Sequence, residues 1–184
     1  MKNRLHETVS KYPLIVKRYK QRYVKMATSK YNAEFLNFVT CELKDPFLGL
    51  DWKQLLDWEH RHLKYTKQQL PKPRAELPID IIKQSQGRCG EFALLYTGLL
   101  LANDYPTRLV LDCSVLKDKS KEAAGDHVWV EIFVDGFWVH VDPTERRINE
   151  PLMYSLDWKK DVNLVLAVTG NQIVEVTKTY QLRS

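Results

Sequence analysis

Three side chains in this sequence have the types and surroundings that nucleophilic catalysis needs. Cys89 lies in Gly87-Arg88-Cys89-Gly90-Glu91, directly ahead of an apolar run from Phe92 to Ala102. A thiol there stands at a helix N-terminus, where unpaired backbone N–H groups and the helix dipole favour the thiolate. Downstream come Asp126-His127-Val128-Trp129 and His140-Val141-Asp142-Pro143. A thiolate nucleophile needs a base or cationic partner, and that base needs a group to orient it. Cys89, His127 and Asp142 fill these roles in order. The Cys89 N–H, at the helix start, is placed for an oxyanion hole. Gly87 and Gly90 leave room for backbone and substrate to approach closely.

Each residue has a plainer explanation. A cysteine before an apolar helix is ordinarily a small buried hydrophobe, and a histidine in a strand is ordinarily structural. Hairpin geometry separates the two readings. Asp135-Gly136 is a two-residue hairpin turn between Asp126–Val134 and Phe137–Asp142. Val134 then pairs with Phe137, and Trp129 falls opposite Asp142. Alternate residues share a face. One face collects Val128, Val130, Ile132, Val134, Phe137, Val139 and Val141, which must pack on the core. The other collects His127, Trp129, Glu131, Phe133, Trp138, His140 and Asp142. His127 and Asp142 become diagonal cross-strand neighbours, about 7–8 Å apart at the backbone, within reach of a side-chain contact. A single bulge between them would turn Asp142 to the core. Glu131 and His140 fall opposite each other, as a pair supporting the site from behind or as an exposed cross-strand pair, and geometry alone favours the exposed pair. Trp129 and Trp138 flank the site, either as core packing or as a stacking wall for substrate.

The elements that must position these groups follow from pattern. Residues 1–70 read as helical, with apolar residues at helical spacing in Tyr31–Leu43 and Trp52–Leu63, and Asp51 as an N-cap. Pro71, Pro73 and Pro78 punctuate a connector, followed by a short helix over Ile79–Ser85. The Cys89 helix runs to about Asn103, stopped by Asp104-Tyr105-Pro106. Beyond Pro106 the period becomes two. Strands are expected at Thr107–Cys113, Asp126–Val134, Phe137–Asp142, Leu164–Thr169 and Ile173–Thr177, with a charged loop over Lys117–Gly125. Helices followed by antiparallel strands make the fold class α+β.

At 184 residues the chain is read as one domain, 1–184, with a helical N-terminal part (1–70) and a catalytic core (79–180). Its 44% hydrophobic and 28% charged residues are ordinary for a globular protein. No apolar run approaches a membrane span, and Met1–Tyr12 lacks a signal-peptide core, so a cytoplasmic protein without membrane contact is expected. The net charge of +5 draws on Lys17, Arg18, Lys20, Arg22 and Lys25. These read as a solvated helix face, and no nucleic-acid-binding motif accompanies them. Of the cysteines, Cys41, Cys89 and Cys113, none forms a C-x-x-C pair, so neither a zinc site nor a disulfide framework is expected. Cys41 and Cys113 have no acid or base nearby in sequence and read as structural.

The segments Gly87-Arg88-Cys89-Gly90-Glu91-Phe92-Ala93, Asp126-His127-Val128-Trp129-Val130-Glu131 and Trp138-Val139-His140-Val141-Asp142-Pro143-Thr144-Glu145 resemble the transglutaminase-like superfamily. Within it they are most similar to the peptide N-glycanases. Tyr154, Trp158, Lys159-Lys160, Leu164–Val168 and Glu175–Tyr180 are similar to that family's C-terminal strands. The resemblance spans residues 84–180. Before residue 80 it is confined to a Trp- and Leu-rich helical segment. It implies a papain-like core, with N-terminal helices and the nucleophile helix packed on an antiparallel sheet. It further implies Cys89, His127 and Asp142 as the triad, and hydrolysis of the amide joining an N-glycan to asparagine through an acyl-enzyme, with no cofactor. The family's substrate-lining residues fall on Arg88, Trp129, Glu131, Trp138 and Glu145. Its two C-x-x-C zinc pairs are missing here, and its Cys-Asp-Pro-Cys-Glu is Val141-Asp142-Pro143-Thr144-Glu145. The substrate expected is a glycopeptide, peptide or protein. A cysteine protease or isopeptide-forming transglutaminase shares the chemistry to the acyl-enzyme, and a non-catalytic binding protein on the same fold is the third alternative.

Overall fold

The computed structural model describes residues 13–70, 73–115, 125–149, 162–170 and 172–181. Tyr154, Trp158, Lys159-Lys160 and most of the charged loop expected after Lys117 lie outside them. Helix α1 (Pro13–Met26) is followed by α2 (Ser29–Phe38), which runs on into a π-helical turn, Val39–Leu43. Thr28 caps α2, its hydroxyl accepting the Tyr31 N–H. Helix α3 (Trp52–His62) starts at Asp51 as its sequence indicates. The Asp51 carboxylate accepts the N–H groups of Lys53 and Gln54 at 2.9 Å, and the Gln54 side chain accepts the Asp51 N–H. This reciprocal capping box satisfies donors that the helix itself cannot. Helix α4 (Pro78–Gln84) has proline in its first turn, where no N–H is needed. Helix α5 (Cys89–Ala102) carries the thiol at its first residue.

The strands are β1 (Lys64–Tyr65), β2 (Gln86–Gly87), β3 (Thr107–Val115), β4 (Gly125–Val134), β5 (Phe137–Asp142), β6 (Arg147–Ile148), β7 (Val162–Thr169) and β8 (Gln172–Glu175). Strands β3 to β8 form one antiparallel sheet in the order β6-β5-β4-β3-β7-β8. The last strand is shorter than expected. It ends at Glu175, and Thr177–Gln181 forms a helix, α6. Strands β1 and β2 pair in parallel, tying the end of α3 to the residues before Cys89.

Helix α5 is apolar on all sides, and every residue from Gly90 to Leu100 is buried. A helix of that kind must lie at the centre of a domain. Here α1 to α4 pack around it on one side and the sheet on the other. Leu109, Leu111, Val128, Val130, Ile132, Val141, Leu166 and Val168 face this core. The hairpin register sets that face. Val134 pairs with Phe137 and the ladder continues without slip to Val130–Val141. Asp135 and Gly136 both have positive φ, 52° and 84°, as a tight turn matching the strand twist requires.

Two expectations about the hairpin are corrected. Phe137, assigned to the core face, is 74% exposed at the first position of β5, next to the hairpin turn. The opposite face, on which polar and titratable groups collect and the Glu131–His140 pair was expected at the surface, is covered. Val110, Trp129, Val165, Ala167, Val176 and Tyr180 make a second apolar cluster there, with α6 lying over it.

Candidate active site

Cys89 is half-buried at the start of α5. The chain reaches it through Gly87, Arg88 and Gly90, and both glycines are required by packing. A Cβ at Gly87 would lie 2.6 Å from the Glu91 side chain, and one at Gly90 would lie 2.7 Å from the Tyr19 hydroxyl. The protein itself crowds both glycines on the side where a Cβ would stand. Glu91 is buried. It accepts the Arg88 N–H at 3.0 Å and a two-pronged contact from Arg74 at 2.9 and 2.6 Å. That pairing anchors the first turn of α5.

His127 and Asp142 come together as the hairpin parity requires. Nε2 of His127 lies 2.7 Å from Oδ2 of Asp142. Cys89 is close enough to the same imidazole to act on its protonation. With Nε2 given to Asp142, Nδ1 is the ring nitrogen left for the thiol. Burial alone would push the imidazole pKa down. Its interactions with Asp142 and Cys89, and their charges, outweigh this and raise it to about 10. The ring stacks at 5.8 Å on Trp129, which backs it from the sheet side. A bulge sits just before His127, on the edge shared with β3: Asp112 pairs with His127 but Cys113 pairs with Gly125. Bulges of this kind re-aim side chains at the ends of strands. The β4–β5 edge, where a slip would have turned Asp142 inward, is regular.

Asp142 is itself oriented by the turn that follows it. Its Oδ1 accepts the Thr144 N–H at 2.9 Å and the Glu145 N–H at 3.4 Å. Oδ2 is left for His127.

The profile of the transglutaminase-like superfamily matches residues 39–143, a segment that contains Cys89, His127 and Asp142. The chain belongs to the transglutaminase-like superfamily. Peptide-N(4)-(N-acetyl-beta-glucosaminyl)asparagine amidases are among its relatives. The one from Drosophila melanogaster is 36% identical over 102 residues, 54% of this chain and 14% of the relative. The one from Arabidopsis thaliana is 32% identical over 110 residues, 59% of this chain and 14% of the relative. The chain thus spans a small part of the length of these relatives. Among solved structures, Rad4–Rad23 bound to a 6-4 photoproduct UV lesion superposes with a TM-score of 0.59 at 14% identity, covering 96% of this chain and 50% of that one. That likeness is one of fold.

On this superfamily framework, the residues assigned to substrate are scattered. Glu145 is exposed beside Asp142. Arg88 is half-buried, and its guanidinium donates to the carbonyls of Lys67 and Gln68 at 2.9 Å, fastening the connector beside Cys89. Trp138 lies under Arg108, whose guanidinium carbon is 4.0 Å from the ring centre. It stands four residues up the strand from Asp142, about 13 Å at strand rise. Trp129 and Glu131 are core residues. Trp129 Nε1 donates to the Tyr180 hydroxyl at 2.9 Å. Glu131 is fully buried, pairing with Arg108 and Tyr180, and with His140 Nε2 at 3.1 Å. The Glu131–His140 pair, expected at the surface, is therefore internal. These polar partners satisfy a carboxylate that α6 shuts away from water.

Sequence reasoning missed Tyr65. It is 52% exposed on β1, paired with Gly87, its ring 6.4 Å from that of Phe92. A two-residue parallel bridge carries no sequence pattern that would have located it. Cys41 is exposed, away from these groups, with its sulfur 3.4 Å from Asn37 Oδ1. Among the described residues no cluster of His, Cys, Asp and Glu could hold a metal ion, and no helix is long and apolar enough to cross a membrane.

Proposed function

We propose that this chain is a cysteine-dependent amide hydrolase that removes N-glycans from asparagine in glycopeptides. The observation that carries the proposal is the series from Cys89 through His127 to Asp142, in which Asp142 Oδ2 lies 2.7 Å from His127 Nε2 and Cys89 acts on the protonation of the same ring. Its relatives' name, a glycan–asparagine amidase, supplies the substrate class. The thiolate of Cys89 attacks the side-chain amide carbonyl of the glycosylated asparagine. As the C–N bond breaks, the imidazolium of His127 gives its proton to the departing nitrogen, and a glycosylamine leaves. Water then attacks the thioester, His127 takes its proton, and aspartate is released on the peptide. Asp142 stabilises the imidazolium and holds the ring throughout. Among the described residues, Tyr65 and Glu145 are exposed in the segments flanking the site and offer a sugar a ring face and a hydrogen-bonding carboxylate.

The test is incubation with a glycopeptide, the same peptide unglycosylated, and a glutamine donor with a fluorescent amine, read by mass. Loss of the glycan with conversion of asparagine to aspartate is expected, and Cys89→Ala should abolish it. Peptide cleavage or amine incorporation in place of glycan release would reassign the substrate. Unchanged turnover in Cys89→Ala would end the proposal.

A further inference from the structure

Helix α3 contributes nothing to the Cys89–His127–Asp142 series itself, yet it holds the segment that carries Asp142. Asp57 pairs with Arg146. His60 Nε2 lies 2.6 Å from the carbonyl oxygen of Pro143. A carbonyl can only accept, so this nitrogen bears the hydrogen and donates. Burial and the nearby Arg146 lower the His60 pKa, so the ring donates as a neutral imidazole at physiological pH. The ring also packs on Phe92 of α5, ring centres 5.2 Å apart, three residues beyond Cys89.

The Pro143 carbonyl and the Thr144 N–H belong to one peptide unit. His60 binds the oxygen of that unit, and its N–H is the donor 2.9 Å from Asp142 Oδ1. A peptide unit is planar and stiff, so fixing its oxygen fixes the direction of its N–H. Polarisation along such a series also strengthens each bond in it. The order is His60, the Pro143–Thr144 peptide, Asp142, His127, Cys89. We propose that His60 is a positioning residue for this site: it holds the Pro143–Thr144 peptide, and through it the Asp142 carboxylate, in the orientation that leaves Oδ2 for His127.

This inference rests on the Cys89–His127–Asp142 reading, so its test is independent of any substrate. In the full chain, His60→Leu keeps an apolar contact with Phe92 but loses the donor, while His60→Gln keeps an N–H at similar reach. Two readouts are taken: the NMR titration of His127, and the iodoacetamide rate of Cys89 at pH 6, with the exposed Cys41 as internal standard. In the unaltered protein Cys89 should outpace Cys41. His60→Leu should cut the Cys89 rate about tenfold and move the His127 titration downward, with Cys41 unchanged. His60→Gln should recover most of both. If His60→Leu does not fold, His60→Asn, too short to reach the carbonyl, replaces it with the same expectation. A donor-less variant with the original His127 titration and Cys89 rate would overturn the inference and leave the three-residue reading intact. An unaltered protein in which Cys89 is no faster than Cys41 would overturn both.

Discussion

His127 and Asp142, 15 residues apart in sequence, meet at 2.7 Å through Nε2 and Oδ2 across the open end of one hairpin. The contact uses Nε2 and leaves Nδ1 free of the carboxylate, so charge and orientation arrive from the same side chain. The two contributions can be separated. Asp142→Asn keeps a side-chain oxygen for the imidazole N–H but removes the charge, whereas Asp142→Ala removes both. Each variant should lower the His127 titration from about 10. Activity should fall about a hundredfold or more in the alanine variant, and less in the asparagine variant. The unaltered protein has a matching pH signature. The folded-state pKa of His127 is raised, so its contribution to stability is complete below about 6.5 and is lost as the pH climbs to about 10. Urea denaturation across that range should show the loss, and both Asp142 variants should flatten it.

Glu59 predicts a dependence that begins at lower pH. It is fully buried in α3 and neither carboxyl oxygen has a full hydrogen-bond partner, although the Tyr96 backbone faces it. Burial, with a further push from the Asp142 charge, raises its pKa well above the ordinary value of 4.5. The folded state therefore keeps a proton that the unfolded chain releases above that value. Stability must fall as the pH rises past 4.5, by up to about 1.4 kcal/mol per pH unit for one proton. Glu59→Leu should remove this slope and gain about 1–3 kcal/mol at pH 7, the cost of an unpartnered buried polar group. A variant less stable than the parent at pH 7 would show that the carboxyl has a partner after all.

The hairpin was legible because its turn has two residues of a type that permits one backbone geometry. Parity alone then places His127 and Asp142 together. Helix α5 was legible because its apolar run exceeds what a strand needs. The closing of the second sheet face was not. Thr177–Gln181 has no amphipathic length to announce a helix, yet through Tyr180 it converts Trp129 and Glu131 from an open face into core. His60 and Glu59 were invisible for a different reason. The Pro143 carbonyl that His60 meets lies 83 residues away, and Glu59 is buried against Tyr96 of another helix; neither spacing nor period encodes such a meeting.

The network around Glu131 should behave as a unit. Arg108, His140 and Tyr180 all converge on a carboxylate with no exposure, and Tyr180 itself is held protonated by burial and by the Glu131 charge. Glu131→Ala leaves the half-buried Arg108 guanidinium and the buried His140 and Tyr180 without their shared carboxylate and should cost about 3–5 kcal/mol in urea denaturation. Tyr180→Phe removes only one donor and should cost about 1–2 kcal/mol. Because they share a partner, the double variant should cost less than the two single losses combined. Strict additivity would mean the two groups act separately.

Gly90 offers a test of whether α1 lies against the residues around Cys89. Alanine is the better helix former by up to about 1 kcal/mol, so propensity alone favours Gly90→Ala. The structure opposes it: the new Cβ would stand 2.7 Å from the Tyr19 hydroxyl oxygen, while the next ring atom is at 3.9 Å. Relieving such a contact in a packed site costs about 1–3 kcal/mol, which outweighs propensity. Gly90→Ala should therefore destabilise the parent protein. In a Tyr19→Phe background the obstructing oxygen is gone and 3.9 Å is an ordinary contact. There the same substitution should be neutral or stabilising by up to about 1 kcal/mol. The reversal of sign is the measurement, because a general effect of the added methyl group on α5 would have one sign in both backgrounds. The result bears on chemistry as well. Helix α1 precedes residues 39–143, yet Tyr19, its pKa raised to about 12 chiefly by burial and then by the Cys89 charge, stays protonated one residue from the thiol.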